Sequence, residues 1–176
     1  MSRSIYWKIT IPFIAITLVG MTLLGLYTAN STRATEINRL ENQLTNEARL
    51  VAEISGSAFS APDAQIQLDR IAKTIGREIS SRITLIAVNG TVLGDTDQEP
   101  STMENHSNRP EVIAALSSGS GQAIRYSATL HENMMYVAVP VTDQGRVIGI
   151  SRVALPLTAV ESTISSLVLT IIAAIA

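Results

Sequence analysis

RITLIAVNGTVLGDT, residues Arg82–Thr96, is the stretch whose reading decides the fold. Ile83–Val88 is rich in branched side chains and suits a strand buried on both faces. Asn89-Gly90 is the strongest short hairpin signal, since a type I′ turn takes two residues with positive φ. Thr91–Thr96 returns as a second strand. Further on, Ala123–Thr129, Met134–Val141 and Arg146–Leu155 have the same character. Ser117–Gly121 is a flexible turn before them, and Asp143-Gln144-Gly145 a tight one between the last two. Five such strands predict one antiparallel sheet.

Between the second and third strands lies MENHSNRPEVIAAL, Met103–Leu116. Asp95, Asp97, Glu99 and Glu104 make the approach to it acidic. Pro110 has a fixed φ and no N–H, which suits the first turn of a helix. Ser107 or Asn108 can cap that helix, and Val112, Ile113, Ala115 and Leu116 give it an apolar side. The stretch therefore reads as a polar loop docked onto the sheet by a short helix. That arrangement builds ligand pockets, and it also closes small domains that bind nothing.

Two helices precede the sheet. From Thr35 to about Phe59 there is no proline and one late glycine, Gly56. Ile37, Leu44, Val51 and Ala58 fall seven apart, with Leu40, Glu47 and Ile54 between them. This heptad-like pattern has one charged flaw, Glu47. It fits a helix packed on its own domain, and equally one continuous with an upstream span that pairs with its twin in a dimer. Ser60, Pro62 and Asp63 then suit the start of a second helix. Leu68, Ile71, Ala72, Ile75 and Ile79 carry it at helical spacing, and its charges read as a solvated face. Helices first and strands after give an α+β domain.

The two ends explain the apolar bias of the 176 residues. Arg3 and Lys8 precede an uncharged run from Ile9 to Thr32, enough for the ~20 residues of a membrane span. Tyr6, Trp7 and Tyr27 sit at its edges, where amphipathic rings favour the interface. The positive flank places the N-terminus in the cytoplasm and the following domain outside. A cleaved signal peptide is the competitor, but its apolar core runs to roughly 7–15 residues, and this run is longer. Ser162–Ala176, STISSLVLTIIAAIA, reads as the first part of a second span. A net charge of −2 leaves no electrostatic footprint for nucleic acid. The absence of cysteine excludes disulfides, thiolate nucleophiles and cysteine zinc sites.

The order of elements resembles the extracytoplasmic PAS-like, or Cache-like, sensor domains of bacterial receptors. The residues resemble more narrowly the phosphate-regulon (PhoR-type) sensor histidine kinases. In that family a strand-turn-strand is followed by M-x-N-H-x-x-R-P-E and then by R-Y-S-x-T-L. Met103, Asn105, His106, Arg109, Pro110 and Glu111 match the first motif. Arg125, Tyr126, Ser127, Thr129 and Leu130 match the second. The resemblance covers roughly Arg82–Leu155 and the two-span layout. It implies a PAS-like (Cache/PDC-like) fold, flanked by transmembrane helices, whose kinase modules lie in the cytoplasm. Neither His106 nor His131 can be the phosphoaccepting histidine, because both fall in the outside domain.

Few residues are candidates for chemistry. His106 near Asp95, Asp97 and Glu104 has metal-ligand types, but the spacing is irregular and no H-x-x-x-H or EF-hand loop is present. Asn105 and His106 more simply bond backbone groups and fix the loop. Arg109 and Arg125 offer forks matched to an anion, or salt bridges to Glu111 or another acid. Ser127, His131 and Asp143 have the residue types of a triad, with no G-x-S-x-G elbow to place them. N-x-S/T triplets at Asn30, Asn89 and Asn105 match a glycosylation acceptor, a use that the bacterial resemblance argues against.

The expected organisation is a cytoplasmic N-terminus over 1–8, a first span over 9–29, an extracytoplasmic sensor domain over 30–161 and the start of a second span over 162–176. The expected function is that of the signal-sensing and transmitting module of a two-component sensor histidine kinase in the cell membrane. These residues house no enzyme. Asn105, His106, Arg109, Arg125 and Tyr126 are the ligand-binding candidates, Tyr126 through the resemblance alone, with no metal and no cofactor. Expected partners are a second copy through the N-terminal helix, the membrane, and an unidentified signal or envelope component. The alternative is a membrane-anchored interaction module for a membrane protein or envelope polymer, without a small-molecule pocket.

Overall fold

The computed structural model describes residues 3–127 and 131–158. The chain forms two units, Met1–Asn38 with Thr158–Ala176, and Arg39–Leu157. Helix α1, Arg3–Ser55, gives its first part to one unit and its remainder to the other. The first part is long and apolar enough to cross a membrane. Its apolar side chains, among them Ile9, Phe13, Val19 and Leu23, are exposed. Three of its hydroxyls are satisfied within the helix: Thr17, Thr22 and Thr28 donate to the carbonyls four residues earlier. The expected second span, Ser162–Ala176, lies outside the described residues, as do Thr129 and Leu130 of the second motif.

The larger unit is an α+β domain. After α1 come a 3₁₀ turn, Gly56–Ser60, and helix α2, Ala64–Ile79. Strands β1 (Arg82–Ala87) and β2 (Val92–Asp95) form the first hairpin. Helix α3, Pro110–Ser118, follows the central loop. Strands β3 (Gly121–Ser127), β4 (Glu132–Asp143) and β5 (Arg146–Pro156) complete an antiparallel sheet in the order β2-β1-β5-β4-β3. The crossover from β2 to β3 traverses the sheet, and the central loop and α3 are that crossover.

Pleating divides the sheet into two faces. Ile83 and Leu85 pair with Val153 and Ser151, which pair in turn with Val137 and Val139. This face belongs to the helices, where Leu44, Val51, Leu68 and Ala72 are wholly buried. On the other face Ile86, Ala138 and Ile150 form a cluster with Val112 and Ala115 of α3. β1 is therefore buried on both faces, as its run of branched residues requires.

The seam expected on α1 is corrected. Leu44 and Val51 are wholly buried in their own domain, with Ala58 nearly so, and so cannot face a second copy. Glu47 is no flaw in this setting, because it accepts a hydrogen bond from the Ser81 hydroxyl at 2.8 Å. The capping expectations also change. Arg109, not Ser107 or Asn108, is the N-cap of α3, and Asp63, not Ser60, that of α2.

The turns exchange types. Of Asn89 and Gly90 only Gly90 has positive φ, at 87°. The Gly90 N–H donates to the Ala87 carbonyl, and the Ala87 N–H to that of Thr91. The loop is thus a type I turn over Val88-Asn89 closed by a left-handed glycine, the three-residue hairpin. The two-residue type I′ geometry occurs instead at Gln144-Gly145, both with positive φ, between the paired Asp143 and Arg146.

Candidate functional site

The face of the sheet opposite α1 and α2 carries the polar cluster. Register places Arg82 and Thr84 of β1, Arg152 and Ala154 of β5, Tyr136 and Ala138 of β4, and Arg125 of β3 on this one face. Near α3 the face is apolar. Toward the other end the residues turn basic, and the central loop stands over them with a cavity of about 380 Å³ beneath it. Arg82, Arg109, Arg125, Arg152, His106 and Tyr136 line that cavity. Glu104 is the one carboxylate in its wall.

The other carboxylates lie behind the arginines. Glu111, in the first turn of α3, is wholly buried, and its Oε1 takes Arg125 Nη2 at 3.1 Å and Arg152 Nη1 at 3.3 Å. Arg152 Nη2 also donates to the Thr84 hydroxyl at 3.0 Å, which itself donates to Asp95 at 2.7 Å. Arg82 pairs with Asp95 at 3.1 Å and with Asp97 at 3.6 Å. The ring of Tyr136 lies against both inner guanidinium groups, 4.0 Å from Arg125 and 5.0 Å from Arg152. One carboxylate thus serves two inner cations, and Glu111 Oε2 and the Nε atoms of both arginines have no protein partner.

Burial sets the protonation states. Burial pushes the Glu111 carboxyl up, but a hydrogen bond from its own backbone and the charges of Arg152 and Arg125 outweigh this and hold it below its ordinary value. Burial lowers the Arg152 guanidinium to about 10 against the pull of Glu111, which leaves it cationic at neutral pH. Burial, followed by the charges of Arg152 and Arg109, lowers His106 to about 4. His106 is therefore neutral.

The central loop is held by backbone bonds. The His106 N–H donates to Gly90 at 2.8 Å, and its ring Nδ1 lies 2.8 Å from the Glu104 carbonyl. Asn105 donates to the Asn89 carbonyl and accepts from the Ser107 N–H. A side chain at residue 90 would collide with Asn105 and Ser107, so glycine serves both the turn and the loop's approach.

The five candidates separate accordingly. His106, Arg109, Arg125 and Tyr126 line the cavity, and Asn105 does not. Arg109 pairs with Glu104 at 3.5 Å rather than with Glu111. Tyr126, next to Arg125 on β3, borders the cavity while 57 % exposed, and its hydroxyl meets His131 Nδ1 at 3.5 Å. Sequence reasoning missed Arg82, Arg152 and Tyr136. The available signal was Arg152 itself, a charge inside the otherwise buried strand ISRVAL. The rival sites are not assembled. Asp143 lies at the far end of β4 from Ser127 and His131. Among the described residues no group of three His, Cys, Asp or Glu is placed to hold a metal ion.

A sheet in this order, with helices on one face and a polar cavity under a crossing loop on the other, defines the class of PAS-like sensor domains. Residues 34–156 match the single Cache-like family, and the chain belongs to it. Among curated protein sequences none matches the chain. Solved structures share the fold at low identity. The sensor domain of the Vibrio cholerae histidine kinase DctB is 15 % identical with a TM-score of 0.66, over 83 % of this chain and 58 % of that one. The ligand-binding domain of the Campylobacter jejuni chemoreceptor Tlp3, in complex with 4-methylisoleucine, is 15 % identical with a TM-score of 0.60, over 85 % and 62 %. The Escherichia coli DcuS sensor domain is 18 % identical with a TM-score of 0.52, over 71 % and 97 %. The chain therefore spans about three fifths of the length of the first two.

Proposed function

We propose that this chain is the extracytoplasmic sensing module of a two-component sensor histidine kinase of the phosphate-regulon type, anchored through α1, and that its signal is a small anion held in the arginine-lined cavity. One observation carries the reading. Four arginines line the cavity while Asp95, Asp97 and Glu111 stand behind them. An anion entering there meets forked donors in a partly desolvated setting, where they bind carboxylate and phosphate groups best. The motifs around His106 and Arg125 support the receptor class, and the histidine-kinase sensor domain of like fold is consistent with it. The polar cavity favours this reading over that of an interaction module without a pocket. Kinase chemistry would belong to cytoplasmic modules and to none of these residues.

Signalling requires two states with different affinity for the anion. The cavity is roofed by the central loop and floored by β3, β4 and β5. An anion that draws Arg125 and Arg109 together would shift the loop against the sheet. β5 leads toward the expected second span, and α1 continues from the first.

The test joins this chain to the cytoplasmic half of a histidine kinase of known output. Autophosphorylation is measured in vesicles against small anions, with neutral and cationic analogues as controls. The expected result is a several-fold response to at least one anion, lost in Arg125→Ala. A folded chimera that answers only uncharged or cationic compounds would sink the proposal.

A further inference from the structure

The geometry points to His106 as the residue that sets the class of ligand: the bound anion must also carry a hydroxyl that donates a hydrogen bond, as hydrogen phosphate, its monoesters and hydroxycarboxylates do. This rests on the anion-binding reading of the cavity and adds a requirement to it.

His106 is 5 % exposed, and its Nδ1 lies 2.8 Å from the carbonyl oxygen of Glu104. A carbonyl offers only lone pairs, so Nδ1 carries the hydrogen. A neutral imidazole has one N–H, which leaves Nε2 as an acceptor. The neutral form is favoured by the burial of the ring and by the positive charges of Arg152 and Arg109. The backbone fixes the residue from both sides, since its N–H donates to Gly90 and its carbonyl accepts from the Arg109 N–H. Among the described residues no hydrogen bond reaches Nε2. Nε2 is not among the buried atoms without a partner, so it retains some exposure, and we infer that it opens on the cavity that the ring lines.

The cationic groups around the ring are of the opposite kind. The guanidinium groups of Arg109, Arg125 and Arg152 donate and never accept. Glu104 accepts, but it stands 87 % exposed at the rim beside Arg109, where water competes for it. Gln98, Thr102, Ser127 and Tyr136 also line the cavity, but their amide and hydroxyl groups can donate as well as accept, whereas His106 Nε2, with its tautomer fixed, can only accept. An oxyanion without hydrogen turns a lone pair toward Nε2 and is repelled. The same oxyanion with a hydroxyl satisfies Nε2 and the arginines together. Sites built to hydrogen-bond a hydroxyl reject analogues that lack it, because the site's own polar group is then left unpaired. A protonated His106 would have turned this acceptor into a donor and favoured the bare oxyanion.

The experiment uses the full chain in detergent micelles and two matched pairs of anions, near neutral pH. Inorganic phosphate is compared with sulfate, which lacks a hydroxyl, and lactate with propionate, which lacks the 2-hydroxyl. Calorimetry reads affinity, and circular dichroism checks folding. The expected result is that the hydroxyl-bearing member of at least one pair binds about tenfold or more tightly than its mate. In His106→Phe, which keeps the ring's bulk without an acceptor, the two members become equal. The responding pair distinguishes a phosphate-type from a hydroxy-acid ligand. Equal binding within both pairs, or discrimination that survives His106→Phe, overturns the inference while leaving the anion cavity standing. If no anion binds to the folded chain, both fall. Should His106→Phe fail to fold, His106→Leu, which also lacks an acceptor, replaces it, and if neither folds the comparison of pairs in the unaltered chain decides alone.

Discussion

Arg152 on β5 and Glu111 on α3 meet at 3.3 Å with both side chains closed to solvent, at 3 % and 0 % exposure. This contact ties the crossing element to the centre of the sheet. Arg125 shares the same carboxylate oxygen from the edge strand β3. One acidic side chain therefore holds three elements in register around the cavity. The arrangement is asymmetric in energy. A buried pair can be replaced by apolar groups at little cost, but removing one partner strands a charge.

Glu111→Ala is thus expected to destabilise strongly. It leaves two guanidinium groups close together beside Tyr136 without their shared counter-ion. The cost is about 3–5 kcal/mol, as for other broken buried pairs. A chain of this size loses roughly 2–4 °C per kcal/mol, so thermal unfolding followed by circular dichroism should show a fall on the order of 10 °C. An unchanged melting temperature would show that Glu111 is not the counter-ion of the cluster.

Arg109→Ala should separate binding from stability. Its guanidinium is 34 % exposed, and its partner Glu104 is 87 % exposed at 3.5 Å. Exposed pairs contribute roughly 0–1 kcal/mol, so the melting temperature should barely move. Anion affinity should fall by about 1.5–3 kcal/mol, as for hydrogen bonds to charged groups. A variant that melts and binds as the parent does would remove Arg109 from the site.

Legibility followed locality. Ile83–Val88, the α3 pattern and the last three strands were readable because side-chain period and turn residues act over a few positions. The heptad spacing of Leu44 and Val51 was also real, but periodicity says only that a face is apolar and not what covers it. Here its own domain buries it. Asn89-Gly90 announced a hairpin correctly, yet the type I′ turn formed at Gln144-Gly145 instead. Loop length and strand register chose between the two, and both are set by the whole sheet. The site was half legible. His106, Arg109 and Arg125 stood out in polar segments, whereas Arg152 is 41 residues from Glu111 and 68 from Thr84. Only the sheet order joins them.

Acid should weaken the fold through His106 before it titrates most carboxylates. The folded value of about 4 lies below the ordinary 6.5. A depressed value means that protons bind the unfolded chain more readily. The contribution is therefore fully present above about pH 6.5 and is lost as pH falls toward 4. Its full extent is about 3 kcal/mol, from a shift of between two and three pH units. Glu111, also held below its ordinary value, adds its own loss only below about pH 4.5. Melting curves of the full chain should therefore decline between pH 6.5 and 4.5, and His106→Gln should flatten that part of the profile. A decline of equal size in the variant would assign it to other groups.

Topology is testable apart from the ligand. With Arg3 and Lys8 retained inside, a reporter inserted at the exposed turn around Gly119 should be active only in the type that works outside the cytoplasm. Activity of a cytoplasmic reporter there would reverse the orientation and end the proposal of an external sensor.

The last prediction concerns α1, where the buried Leu44 and Val51 belong to the domain core. Leu44→Ala should cost about 2–5 kcal/mol, because the side chain is wholly buried and the cavity it leaves collapses incompletely. Single cysteines at residues 44 and 51 should stay reduced and unreactive in the folded chain, since neither position reaches solvent or a second copy. Leu50 and Ile54 are 53 % and 47 % exposed on the same helix, so cysteines there should react with a soluble thiol reagent at once. If two copies associate along α1, crosslinks should form at residues 50 and 54 and not at 44 and 51. Efficient crosslinking at 44 and 51 in a chain of native stability would mean that the helix leaves its own sheet to pair with its twin, and the packing described for the helical face would be wrong.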